Sequence, residues 1–240
     1  MTELYPAIDL LDGKVVRLQQ GDYDQETVYG LDPVAVAAAF VEAGANWVHV
    51  VDLDAARSGS PRNREVVAAI ATALEGGAQI QTGGGVRTLD DVSALRDAGV
   101  SRVVMGSAAV QQPDLVAAAC ELLPVAVGLD HRDGELAVHG WTAGSGVQLF
   151  TALSWFPSAA AFVITDIGRD GMLSGPDVAG LTAVAARTSI PLVASGGVAT
   201  LADIVACAAI PNCTGVITGK ALYEGRFTVA DAVAALAATR

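Results

Sequence analysis

The residues of this chain best suited to chemistry occur in pairs, in the same order in each half. Asp9, within Ala7–Gly13, returns half a chain later as Asp130, within Gly128–Gly134. Each ends a short apolar run and precedes a long polar loop, whereas an acid that merely caps a helix stands directly before it. Thr82-Gly83-Gly84-Gly85 returns as Ala194-Ser195-Gly196-Gly197, and Gly106-Ser107 returns as Gly219-Lys220. Consecutive amides without Cβ atoms can close on an anion such as phosphate. One such motif alone would equally be a tight turn. Two of them, each followed by a second glycine turn, imply two phosphate cups and a ligand phosphorylated at both ends.

A further acid, Asp170, stands in Thr165–Met172, where Asp170-Gly171 also reads as an ordinary turn dipeptide. Thr165 is placed to support a carboxylate by hydrogen bonding. Asp9 and Asp170 reach the pocket from opposite sides, which suits an acid and a base acting on separate atoms of one sugar. Arg17 could neutralise a phosphate or a negative intermediate, and Trp141 could stack on a heterocycle. Trp47 and Trp155 read as packing residues, and His49, on an apolar strand, as a satisfied core histidine. His131 and His139 lack a third ligand at suitable spacing, so no metal site is expected.

The elements that must position these groups are short apolar runs alternating with amphipathic stretches. The runs are Leu4–Ile8, Trp47–Val51, Ala78–Gln81, Arg102–Met105, Val125–Leu129, Ala161–Ile164, Pro191–Ala194 and Gly215–Ile217. The stretches between them are Pro33–Ala43, Arg64–Leu74, Leu89–Ala98, Pro113–Leu122, Val147–Trp155, Val178–Arg187, Leu201–Ala208 and Val229–Ala238. Near-continuous apolar strands call for burial on both faces. The α/β alternation predicts a single (β/α)8 TIM barrel over 1–240, built from two duplicated half-barrels at about 1–122 and 123–240. Leu11–Asp32 and Arg132–Gly146 read as irregular lids over the mouth.

Composition limits the partners. A formal charge of −12 argues against nucleic acid or an anionic membrane, and leaves phosphate to be held by local backbone amides. No apolar run approaches the roughly 18–20 residues of a spanning helix. Met1–Pro6 lacks a basic stretch followed by an apolar segment, so export is not expected. Cys120, Cys207 and Cys213 read as buried or incidental thiols of a reducing compartment, here the cytoplasm. The expected partner is a small sugar carrying two phosphates, handled by a monomer.

Several segments together resemble one family. Pro6–Leu10, Gly13–Leu18, Gln20–Tyr23, His49–Asp54, Gly83–Arg87, Thr165–Ile167 with Arg169–Gly171, and Gly219–Leu222 are similar to the histidine-biosynthetic isomerases acting on phosphoribosylformimino-aminoimidazole carboxamide ribotide. The resemblance spans essentially the whole chain. It implies an Amadori rearrangement, aminoaldose to aminoketose, without metal or organic cofactor. It also implies Asp9 as general base, Asp170 as general acid, and Asp130 and Thr165 as orienting groups. Val51–Ala56, Ala194–Val198 and Ala221–Tyr223 further resemble the actinobacterial form, many members of which also isomerise phosphoribosyl anthranilate. In that bifunctional form an arginine before the second-lid tryptophan holds the anthranilate carboxylate; here the position is His139. Two alternatives stand beside this reading. One is the related cyclase-lyase barrel, which typically has lysine where this chain has Arg17. The other is a non-catalytic phosphosugar-binding barrel, for which two retained carboxylates would serve no purpose.

Overall fold

The computed structural model describes residues 2–19 and 22–239, so Gln20 and Gly21 of the resemblance lie outside the described residues, as do Met1 and Arg240. The strands are β1 (Glu3–Leu11), β2 (Lys14–Gln19), β3 (Asp22–Gly30), β4 (Trp47–Asp52), β5 (Gln79–Gly83) and β6 (Arg102–Met105). They continue as β7 (Val125–Arg132), β8 (Glu135–Val138), β9 (Ala143–Gln148), β10 (Ala161–Asp166), β11 (Leu192–Ser195) and β12 (Cys213–Thr218). The parallel order β1-β4-β5-β6-β7-β10-β11-β12 returns to β1, and the ring is closed by the β7–β10 and β12–β1 ladders. This is the predicted (β/α)8 barrel, and each predicted strand falls on one of its staves.

Two hydrophobic cores follow from strand alternation. Side chains one residue apart point to opposite faces. Outward positions such as Ile8, Val48, Val50, Ile80, Val103 and Val127 pack under the helices in one large cluster. Inward positions Tyr5, Ala7, Ala126, Ala161, Val163, Val193 and Ile217 fill the pore. The barrel is therefore solid below its mouth.

Seven of the predicted helices are present, at Pro33–Glu42, Arg64–Ala73, Leu89–Asp97, Pro113–Cys120, Val178–Ala185, Leu201–Ala208 and Val229–Ala237. Thr88, Thr200 and Thr228 each open a helix with a capping box closed by Asp91, Asp203 and Asp231. The stretch Val147–Trp155 differs: only Leu149–Ala152 is helical, and Val147 belongs to β9. Gly146 at φ 72° ends any helix on one side, and Pro157 biases its predecessor away from the helical region on the other.

The two expected lids are not irregular. β2 and β3 form a hairpin continuing β1, and β8 and β9 form one continuing β7. The turn into each is an Asp-Gly pair with both φ values positive: 49° and 74° at Asp12-Gly13, 50° and 85° at Asp133-Gly134. That backbone matches the right-handed twist of the flanking strands. The first turn is braced from below by Asn63, which is buried. Its amide donates to Asp52 Oδ1 at 2.7 Å and Asp54 Oδ2 at 2.9 Å, while its carbonyl accepts from the Gly13 N–H at 2.9 Å. Asn63→Ala strands two carboxylates without this donor. It is expected to lower stability by about 1–3 kcal/mol, read as a lower urea midpoint at unchanged slope; an unshifted midpoint would rule out the brace.

Candidate active site

The carboxyl ends of the staves surround one cleft, and most of the residues singled out above line it. On the β1 side are Asp9 and Arg17; on the β7 and β10 side are Asp130, Trp141, Thr165 and Asp170. Gly83, Gly84, Gly85, Gly106 and Ser107 form one end, and Ser195, Gly196, Gly197, Gly219 and Lys220 the other.

Strand parity decides which acids face the cleft. Asp9 and Asp130 are inward, whereas Asp52 is outward and caps the helix Leu53–Ser58 by accepting from Ala55 N–H at 2.9 Å. The hairpin returns Arg17 beside Asp9, and the two pair at 2.8 Å. Burial raises the Asp9 carboxyl to about 6; Arg17 works against that shift and Asp170 adds to it. Asp170 is raised as well, chiefly by burial, with Arg17, its bond to the Gly171 backbone and Lys220 opposing. Two carboxyl groups in one cleft, both raised above the ordinary aspartate value, can exchange protons with a ligand in both directions.

Asp130 is held rather than free. Trp141 donates its indole N–H to Asp130 Oδ2 at 2.8 Å, and Thr165, its register partner on β10, also bonds to it. Burial raises this acid too, and both hydrogen bonds moderate the rise. Trp141 sits at φ 71°, a strained value for an aromatic residue, and so projects from the second hairpin into the cleft.

The two glycine ends repeat each other in backbone conformation. Gly84 and Gly196 have φ 90° and 89°, and the following caps Thr88 and Thr200 have φ −135° and −136°. A Cβ at Gly84 would fall on the Asp52 backbone, so only glycine lets this turn close. At Gly219 the reason is different: a Cβ there would occupy the space of the Arg17 guanidinium. Short helices start at Ser107 and Lys220, bringing helix-start amides to the rim. Lys220 Nζ donates to the Gly171 carbonyl at 2.9 Å, tying this end to the loop that carries Asp170.

Two residues expected at the ligand lie elsewhere. Thr82 is an outward position of β5, buried, and its hydroxyl donates to the Val50 carbonyl at 3.0 Å. Parity explains this correction, since Gly83 faces the pore. His139 is exposed on the second hairpin at φ 56°, with its ring against Gln111 Nε2 at 3.1 Å and its N–H donated to Ser107 Oγ at 2.8 Å. It stands at the rim, outside the cleft lining. Conversely, Arg87, Tyr23 and His49 line the cleft although their sequence positions alone suggest no ligand role. Arg87, a cation two residues beyond the glycine triplet, was the available signal; it donates to the Ala56 carbonyl at 3.3 Å. Among the described residues no cluster of three or more metal-ligating side chains occurs, and no helix is long and apolar enough to cross a membrane.

A barrel with paired glycine turns and carboxyl groups of raised pKa at its mouth belongs to the class of closed α/β barrels that keep their chemistry at the strand ends. Residues 3–228 match the family described as Histidine biosynthesis protein, and the chain belongs to that family. A protein of Rhizorhabdus wittichii is 48% identical over 238 residues, 96% of each chain. One of Desulfosudis oleivorans is 46% identical over 239 residues, 97% of this chain and 94% of that one. One of Synechococcus elongatus is 46% identical over 244 residues, 99% and 94% respectively. All three are named 1-(5-phosphoribosyl)-5-((5-phosphoribosylamino)methylideneamino)imidazole-4-carboxamide isomerase.

The Asp9 value has two consequences. Its folded pKa lies above the unfolded one, so its contribution to folding is fullest below about pH 4 and is lost as pH rises through about 6. Arg17→Met removes the opposing cation and is expected to move the Asp9 midpoint higher still. Carboxyl-carbon NMR titration of both proteins tests this, and a wild-type midpoint near the free aspartate value would discard the assignment.

Proposed function

We propose that this chain catalyses the aldose–ketose (Amadori) rearrangement of the phosphoribosyl amine named for its relatives, in histidine biosynthesis, by acid–base chemistry alone. The observation that carries the reading is the pair Asp9 and Asp170, two carboxyl groups lining the cleft between twin glycine turns, their pKa raised by desolvation. The relatives' shared name supplies the substrate.

Asp170 is the general acid: burial keeps it protonated longer than an ordinary aspartate, and its proton goes to the ribosyl ring oxygen. The C1′–O bond breaks and the nitrogen lone pair forms the iminium. Asp9, ionised at neutral pH with a value of about 6, then removes the C2′ proton. The C2′–H electrons form the enolamine, which tautomerises to the ketose. Asp130, fixed by Trp141 and Thr165, orients the sugar, while Trp141 stacks on the heterocycle. Arg17 offsets negative charge beside Asp9. The turns Gly83–Gly85 with Gly106-Ser107, and Ser195–Gly197 with Gly219-Lys220, hold one phosphate each. The matching φ values support an origin in two fused half-barrels, about 1–122 and 123–240. A cleft assembled from one chain supports a monomer, and the free cysteines suit the reducing cytoplasm.

Asp9→Asn and Asp170→Asn should each cut turnover by about 10²–10⁴-fold, with circular dichroism and substrate affinity little changed. A near-normal rate in either variant removes that residue from the mechanism. The finer reading, a second activity on phosphoribosyl anthranilate, draws on the rim position of His139. An imidazole lacks the forked donors of guanidinium, so His139→Arg should raise turnover of that substrate relative to the parent. A parent already as fast as the variant refutes the importance of this position.

A further inference from the structure

Below the catalytic carboxylates, three buried polar side chains stand side by side on the pore wall. His49, Gln81 and Arg102 occupy matching register positions on β4, β5 and β6. Arg102 donates Nε–H to Gln81 Oε1 at 2.7 Å and an Nη2 hydrogen to the Tyr5 hydroxyl at 2.8 Å. Its guanidinium carbon also lies 4.5 Å from the Trp47 ring centroid, so the group is clamped in place. Gln81 Nε2 lies 2.9 Å from His49 Nδ1.

Donor and acceptor chemistry fixes every proton in this chain of contacts. Guanidinium only donates, so the Gln81 oxygen must face Arg102. The Gln81 amide nitrogen therefore faces His49, and it too only donates. His49 Nδ1 must accept, which leaves the ring proton on Nε2.

We propose that Arg102 and Gln81 are positioning residues that lock His49 as its neutral Nε2–H tautomer, a hydrogen-bond donor to a hydroxyl of the sugar held in the cleft. The His49 ring lines the cleft with Asp9 and Arg17. Burial, and then the charges of Arg17 and Arg102, push its pKa down to about 3, so it stays neutral wherever Asp9 is ionised. Neutrality matters here, because an imidazolium beside Asp9 would pull its carboxyl down and weaken the base. The hydrogen-bond partners of Arg102 are two uncharged acceptors. A buried cation held so costs stability that an apolar side chain would not, which points to a task in setting the next residue.

The tautomer arm needs no substrate, and only the kinetic arm rests on the isomerase reading. In nitrogen-15 imidazole spectra of the wild-type protein, His49 should show unprotonated Nδ1 and protonated Nε2, unchanged between about pH 6 and 8. An Nδ1–H or mixed pattern overturns the proposal. Gln81→Glu offers an acceptor to both neighbours, so the proton should move to Nδ1, as Nδ1–H or imidazolium. The kcat should then fall roughly 10-fold, the scale of one lost hydrogen bond, with KM nearly unchanged. An unmoved proton overturns the lock, and a moved proton with unchanged kcat overturns the donor role. Gln81→Met, which keeps the volume, should give a mixed tautomer; a pure Nε2–H pattern there also overturns the lock. Should the wild type show the expected spectrum yet fail to turn over the ribotide, the isomerase reading fails and the lock stands.

Discussion

A carboxylate at the inner end of a barrel strand loses most of its water, and the penalty for an unpaired charge there is several kcal/mol. Asp9 is kept near neutrality because Arg17 lies 2.8 Å away and offsets part of that penalty. Much of the surrounding architecture serves this pair. The hairpin β2–β3 brings Arg17 back over the strand that carries Asp9, Asn63 braces the turn, and Gly219 leaves room for the guanidinium. A side chain at Gly219 would displace the cation, and Asp9 without it would rise further.

The same economy of charge resolves the conflict between a chain of net charge −12 and an anionic ligand. Most acids lie where they do not face the cleft: Asp91, Asp203 and Asp231 close capping boxes, and Asp52 caps a helix from an outward position. Beside Asp9, Asp130 and Asp170, the mouth carries the backbone amides of glycine turns together with Arg17, Arg87 and Lys220. Local field and global charge are thus set by different residues. Lys220 does more than supply charge, since its bond to the Gly171 carbonyl links one glycine end to the loop bearing Asp170.

Periodicity made the barrel legible. Short runs buried on both faces mark the staves, and the duplicated glycine and aspartate motifs mark the mouth. Two signals that are present in the chain are easily misread. The turn pairs Asp12-Gly13 and Asp133-Gly134 between apolar segments are hairpin signatures, yet the polar run Gln19–Thr27 and the small residues Thr142–Gly146 further on make both lids look irregular. Nearness to the glycines suggests a ligand role for Thr82, although alternation from Gly83 sends it outward to the Val50 carbonyl. Other features were not legible. That Arg102 lies against Gln81, and Gln81 against His49, depends on the stagger of three strands, which no single segment encodes.

His49 also shows why a residue can be both packing and function. Its burial and its bond to Gln81 satisfy the description of a core histidine, and on those grounds nothing more is required of it. The pore, however, is solid only below the mouth, and His49 stands at the level where packing gives way to cleft. Rigid support from beneath and an open face above is the arrangement a preorganised donor needs, because reorientation at the moment of reaction would cost part of what the hydrogen bond contributes. The Tyr5, Trp47 and Arg102 layer is therefore better understood as the floor of the site than as filler of the barrel.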